Sequence, residues 1–269
     1  MSDEKQAPLI SRERPAHWYY PDGRACHTLP KKDGSGEKNT TLADARKLGL
    51  LPSVTSILSI KAKPGLDAWK LEQAILSALT LPKGSEETED AFAKRIVVDM
   101  EEQAAKAAEW GTKIHAECED MHKTGVLVRH DDTFPYIEDY ERWFKVNIRE
   151  VLHAENTVVN TRLGYAGRVD LVARHKDWGL VIMDLKTQKV KKEPVFYEEW
   201  GMQLAAYRDC FDSSAEMEMM SVIIDSAKAA PVAVKLWVDP ERYLRAFTNC
   251  AELWKFDRNF VPCQQQEIT

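Results

Sequence analysis

Two short apolar runs carry charge where such runs ordinarily exclude it: Gly167-Arg168-Val169-Asp170-Leu171-Val172 and Val181-Ile182-Met183-Asp184-Leu185-Lys186-Thr187. Both have the length and β-branched content of buried strands, and the turn residues Asp177-Trp178-Gly179 lie between them, so a hairpin is predicted. A carboxylate inside a buried strand is costly unless it is paired or holds a cation. Residues two apart on a strand share a face, so Asp184 and Lys186 point one way and Leu185 the other. Pairing across the turn brings Asp170 to the same side. Two carboxylates and an ammonium are therefore expected to converge. The alternative reading is a surface hairpin whose Asp and Lys form a solvated ion pair of little energetic consequence.

The rest of the chain fits one large domain, or one domain with an elaborated N-terminal part, since 269 residues of which 44% are hydrophobic and 30% charged can bury a core. The segment up to Arg14 is polar and expected to be mobile. His17-Trp18-Tyr19-Tyr20 running into Pro21-Asp22-Gly23 suggests a short hairpin, and Lys31 to Thr41 reads as a loop. Ser53 is placed to cap a short helix. Helical spacing of Leu66, Trp69, Ile75 and Leu79 stops at Pro82-Lys83-Gly84, and a second helix is expected after Ser85 through Ala108. Gly111-Thr112 is expected to interrupt it before further turns carrying Ile114, His115, Cys118 and Met121, and a third helix should cover Phe134 to Val151. Strands are predicted at Glu155 to Val159, Gly167 to Arg174, Leu180 to Lys186, Met219 to Ile224 and Val232 to Val238. Helices are predicted from Glu198 to Phe211 and from Asp239 onward. That order implies a mixed sheet flanked by helices.

A formal charge of -6 argues against a protein that coats nucleic acid by bulk electrostatics, although it leaves room for local basic patches. Such patches are expected at Lys186, Lys189, Lys191 and Lys192 and at Arg162, Arg168 and Arg174. The five cysteines form no Cys-x-x-Cys pair, so reduced thiols are expected. No apolar run approaches the roughly 18 residues of a membrane span. The opening residues lack a secretory pattern, and a soluble, cytoplasmic protein without membrane partners is expected. No phosphate-loop motif appears, hence no ATP motor is expected.

The convergent acids and lysine match the needs of phosphodiester hydrolysis with Mg²⁺ or Mn²⁺, in which hard oxygen ligands leave water positions open and an ammonium acts on the attacking water. With Asp170 one hairpin upstream of Asp184-Leu185-Lys186, and with Gln203 and Tyr207 downstream, the sequence resembles the PD-(D/E)XK nuclease superfamily. Its likeness is to the RecB-type exonuclease branch, which includes phage exonucleases and the mitochondrial genome maintenance exonuclease. The similarity covers about residues 110 to 225, and looser likeness reaches the aromatic-Asp-Gly hairpin and Pro52 to Leu58.

The resemblance implies an α/β fold with a restriction-endonuclease-like mixed β-sheet core flanked by helices and a helical N-terminal extension. Residues 1–109 would form one wall of a DNA channel and 110–269 the nuclease core. It places Asp170, Asp184 and Lys186 at the catalytic centre. His115, preceded by Gly111, joins the metal shell, with Leu185 also in the metal set. Glu155, Gln203 and Tyr207 complete the implied site, although each also reads as an ordinary surface or core residue. Ser53, Thr55, Arg168, Thr187 and Lys189 are candidate DNA contacts; Trp18, Tyr19 and Tyr20 either stack on bases or pack within the hairpin. The implied function is a metal-dependent DNA exonuclease acting on single-stranded or end-containing DNA. Its context would be phage-type recombination in a bacterial host cell, beside a single-strand annealing protein. No iron-sulfur cluster is expected, because the closely spaced cysteine triplet of some relatives is missing. An endonuclease of the same superfamily and a noncatalytic DNA-binding accessory protein stay open as alternatives.

Overall fold

A computed structural model describes residues 17–212 and 214–262; the polar segment before Pro15 and Cys263 lie outside the described residues. The chain begins with β1 (Trp18–Tyr19), β2 (Thr28–Pro30), β3 (Glu37–Asn39), α1 (Leu42–Leu48), β4 (Leu51–Pro52) and α2 (Val54–Leu58). The Pro21-Asp22-Gly23 turn closes as expected, with Gly23 N–H donating to the Tyr20 carbonyl at 2.9 Å. Part of the expected loop is instead a strand, because Glu37–Asn39 pairs antiparallel with Thr28–Pro30. Trp18 and Tyr19 are buried and pair with β4, which leaves them in the core rather than free to stack on bases. Ser53 caps α2 as predicted, its Oγ accepting from Ser56 N–H at 3.0 Å.

Next come α3 (Pro64–Thr80), α4 (Glu89–Thr124) and α5 (Phe134–Asn147). The break expected at Gly111-Thr112 does not occur, and α4 runs unbroken for 36 residues. Glycine in a helix interior costs on the order of 1 kcal/mol relative to alanine, which the alanine-rich flank tolerates. Its use here is close packing: a Cβ on Gly111 would lie 2.7 Å from Thr187 Oγ1. Helix α5 ends four residues earlier than the predicted Val151, because Asn147 Nδ2 donates to the Trp143 carbonyl at 2.6 Å and the backbone turns extended at Ile148.

The five predicted strands are all present: β5 (Ile148–Asn160), β6 (Tyr165–His175), β7 (Gly179–Gln188), β8 (Glu218–Asp225) and β9 (Ala233–Trp237). Helix α6 (Glu198–Arg208) connects β7 to β8, and α7 (Pro240–Asp257) follows β9, capped by Asp239. The sheet order is β5-β6-β7-β8-β9, with β7 and β8 parallel and the other neighbours antiparallel. This five-stranded mixed sheet, with seven α-helices among the described residues, is a restriction-endonuclease-like fold. Among the described residues no helix is long and apolar enough to cross a membrane.

Two compact units divide the described chain, one of residues 62–110 and the other of residues 17–61 with 111–262. In the first, Ser77 Oγ donates to Asp99 Oδ2 at 2.6 Å, and Arg95 joins Glu87 at 2.7 Å and the Pro82 carbonyl at 2.8 Å. In the second, Trp18, Leu50 and Val54 share one core with Tyr165, Ile182, Leu204 and Trp254.

Candidate active site

The β6–β7 ladder holds register from His175↔Gly179 to Leu171↔Met183 and then stops. Asp170 and Asp184 would form the next pair. Instead the strands part, and the Asp170 side chain takes over a main-chain donor, with Leu185 N–H donating to its Oδ2 at 2.7 Å. Asp184 is 2% exposed, and Lys186 Nζ donates to its Oδ1 at 2.7 Å. Helix α6 closes the cluster from the sheet face. Gln203 Nε2 donates to Asp184 Oδ1 at 3.2 Å and to Tyr207 Oη at 3.3 Å, while Gln203 Oε1 lies 3.5 Å from Lys186 Nζ. Gly167 permits this approach, because a Cβ there would lie 2.4 Å from Tyr207 Cε1.

Burial dominates the electrostatics. It pushes Asp184 up to about 6, helped by the Asp170 charge and opposed by Lys186. Asp170 is also raised by burial, with Lys186 the main opposing influence. Burial and the Lys186 charge hold His115 down at about 4, so its imidazole is neutral near pH 7 and can offer a lone pair. Glu155 is pushed up to about 7 by burial and by Asp170. It lies between the Ala154↔Leu171 and Asn156↔Val169 pairs of the β5–β6 ladder, opposite Asp170, with φ of 52°. A left-handed backbone at a glutamate is strained, the kind of strain that tends to collect at functional sites.

Arg168 is exposed and committed to two acids, at 2.7 Å from Glu119 and 2.6 Å from Glu155. Leu185 turns its side chain into the core on the opposite face, so only its main chain is available to the site. Thr187 is half-buried against Gly111, and Lys189 is exposed at the end of β7. Ser53 is buried with its hydroxyl engaged at the cap, 2.8 Å from Ser56 Oγ and 3.1 Å from the hydroxyl of the exposed Thr55, while its N–H donates to the His17 carbonyl at 2.9 Å.

Two residues near the lysine and acids escaped the sequence reading. Glu119 falls one helical turn after His115 on the same face, and that spacing was a usable signal. Trp200 falls three residues before Gln203, with its ring 5.6 Å from Lys186 Nζ.

The pattern of the PD-(D/E)XK nuclease superfamily matches residues 70–249, which include every side chain of this cluster. The chain belongs to that superfamily. Among solved structures, SSO0001 is similar in part, at 15% identity over 70% of this chain and 86% of that one, with a TM-score of 0.33. No match is found among curated proteins.

Nucleases of this superfamily generally use a divalent metal such as Mg²⁺. The residues present fit such an ion. Asp184 Oδ2 is buried without a hydrogen-bond partner, and the adjacent Asp170 carboxylate supplies a second set of hard oxygens. Among the described residues no three His, Cys, Asp or Glu side chains already surround one point. Mg²⁺ commonly takes one or two carboxylates and completes its shell with water and substrate phosphate.

Proposed function

We propose that the chain is a divalent-metal-dependent exonuclease that hydrolyses phosphodiester bonds from DNA ends. The observation that carries this reading is the convergence of Asp170, Asp184 and Lys186 where the β6–β7 ladder opens. Asp170 and Asp184 would hold the metal, with the Leu185 main chain and neutral His115 as further donors. When bound, the metal neutralises charge on the phosphate and acidifies water. Lys186 is held by Asp184 and Gln203, so its Nζ is kept within the cluster to orient the attacking water and to stabilise the developing negative charge. Gln203, steadied by Tyr207, keeps the lysine and Asp184 in fixed relation. The water oxygen bonds to phosphorus and the bond to the 3′ oxygen breaks, giving a 5′-phosphate and a 3′-hydroxyl. Lys189, Lys191 and Lys192 follow β7 and would serve the DNA backbone. Attack from ends, and a setting in phage-type recombination beside an annealing protein, rest on the RecB-type resemblance.

The test is digestion of end-labelled linear and covalently closed circular DNA, single- and double-stranded, with Mg²⁺, Mn²⁺ or EDTA, beside Asp184→Ala. Metal-dependent loss of linear DNA alone, abolished in the variant, is expected. Cutting of circles would replace the exonuclease reading with an endonuclease. Binding with no cleavage under any metal would point to an accessory protein.

A further inference from the structure

The aromatic cluster beside the lysine is not used by the chemistry above. It is built by Gln188, two residues beyond Lys186 and on the same strand face. Gln188 Nε2 donates to the Val195 carbonyl at 3.1 Å, and Val195 N–H donates back to Oε1 at 2.9 Å. This pair closes residues 189–194 into a loop and returns the chain to the strand end, which sets Phe196-Tyr197 at the entry to α6. Trp200, one turn into α6, meets Tyr197 edge-on at 5.2 Å and Phe196 at 6.1 Å. The Trp200 ring in turn lies 5.6 Å from Lys186 Nζ. The inner end of the cluster thus touches the lysine, whereas the outer end is open: Tyr197 is 40% exposed and Val195 48%.

An exposed aromatic joined through one ring to a phosphate-directed ammonium has a specific use in a nuclease. We propose that Tyr197, backed by Trp200, is a stacking platform for an unpaired base next to the scissile phosphate, so that the substrate is single-stranded DNA or a frayed end. The inference rests on the nuclease reading and adds to it a base-binding residue, Tyr197, that favours the unpaired form of the substrate. A phosphate held at Lys186 brings its own nucleotide's base within reach of the neighbouring rings. Bases inside a duplex have both faces covered by adjacent pairs, whereas an unpaired base has a face free to stack, and stacking of this kind tolerates any sequence. Lys189 and Lys192 are exposed on the loop between Lys186 and Tyr197, which supplies positive charge along the path of the backbone.

The experiment compares the full chain with Tyr197→Ala and Tyr197→Phe, by oligonucleotide binding at low salt in EDTA. Three single-stranded oligonucleotides are used: intact, abasic at the 5′ terminal nucleotide, and abasic at the 3′ terminal nucleotide. Tyr197→Ala is expected to weaken binding of the intact strand on the order of tenfold and to match wild type on one of the abasic strands. Tyr197→Phe, which keeps the ring, should stay within about twofold of wild type on all three. A 2-aminopurine at the end so identified should be quenched by wild type and not by Tyr197→Ala. Thermal melts of both variants establish that they fold. An equal loss on intact and abasic strands, or no loss at all, overturns the platform. If wild type cuts DNA while Tyr197→Ala binds and cuts like it, only this inference fails. If wild type neither binds nor cuts DNA, the nuclease reading fails and takes this one with it.

Discussion

At the turn end of the β6–β7 hairpin, Leu171 to His175 pair in unbroken register with Met183 back to Gly179, and Leu171, Val172, Ala173, Val181 and Ile182 are buried and apolar. At the other end the ladder stops and Asp170, Asp184 and Lys186 crowd together with a carboxylate oxygen left without a hydrogen bond. The same two strands supply both ends, so the contrast is a division of tasks within one hairpin. The closed end contributes stability by burying apolar area. The open end gives some of that up, because two desolvated carboxylates repel each other, and in exchange it holds two acids and an ammonium where water screens their charges less. The α6 side chains Gln203 and Tyr207 hold the open end in shape without neutralising it.

The contrast breaks most sharply at Lys186. Lys186→Ala should lower the cleavage rate on the order of 10²- to 10⁴-fold while Mg²⁺ binding, read by calorimetry, persists. Full activity in that variant would remove the lysine from the mechanism.

Ile182→Ala probes the closed end. It should cost about 2–5 kcal/mol in urea unfolding, the usual range for a cavity in a packed core, with cleavage per folded molecule nearly unchanged. Equal losses of stability and rate would mean that the two ends are not separable.

A smaller effect sharpens the electrostatic half. Burial raises Asp184 from 3.8 to about 6. A carboxyl raised on folding contributes stability that is fully present below its unfolded value and is lost as pH rises through the folded one, because the folded state binds more protons in between. Wild type without metal should therefore lose stability relative to Asp184→Asn from about pH 4 to pH 6, with the gap constant above that. Asp170 and His115 interact with the Asp184 charge, so the gap reports the response of this cluster to losing that carboxylate. A gap that does not change with pH, measured by denaturant unfolding in EDTA, would show that Asp184 is not destabilised by burial.

Much of the hairpin was legible in the sequence because strand geometry has a period of two. Asp184 and Lys186 share a face by arithmetic, and Asp170 follows once the turn is located. Local patterns also gave all five strands of the sheet, the Ser53 cap and the Asp239 start of α7. Patterns failed where a distant partner overrode them. Gly111 reads as a break in a helix, but it is the contact point for Thr187, 76 positions away, and α4 passes straight through it. Glu37–Asn39 has no hydrophobic period and becomes a strand only because Thr28–Pro30 lies beside it.

The sequence by itself determined which groups needed an explanation: charged residues inside apolar strands cannot be left unpaired, and periodicity says which of them share a side. Tertiary structure decided what those groups meet. The parting of β6 from β7, the capture of the Leu185 N–H by Asp170, the Glu119–Arg168–Glu155 bridge and the Trp200 ring beside Lys186 all join elements far apart in the chain. Such contacts depend on how helices and sheet pack, a property of shape and excluded volume that no local spacing of residues encodes.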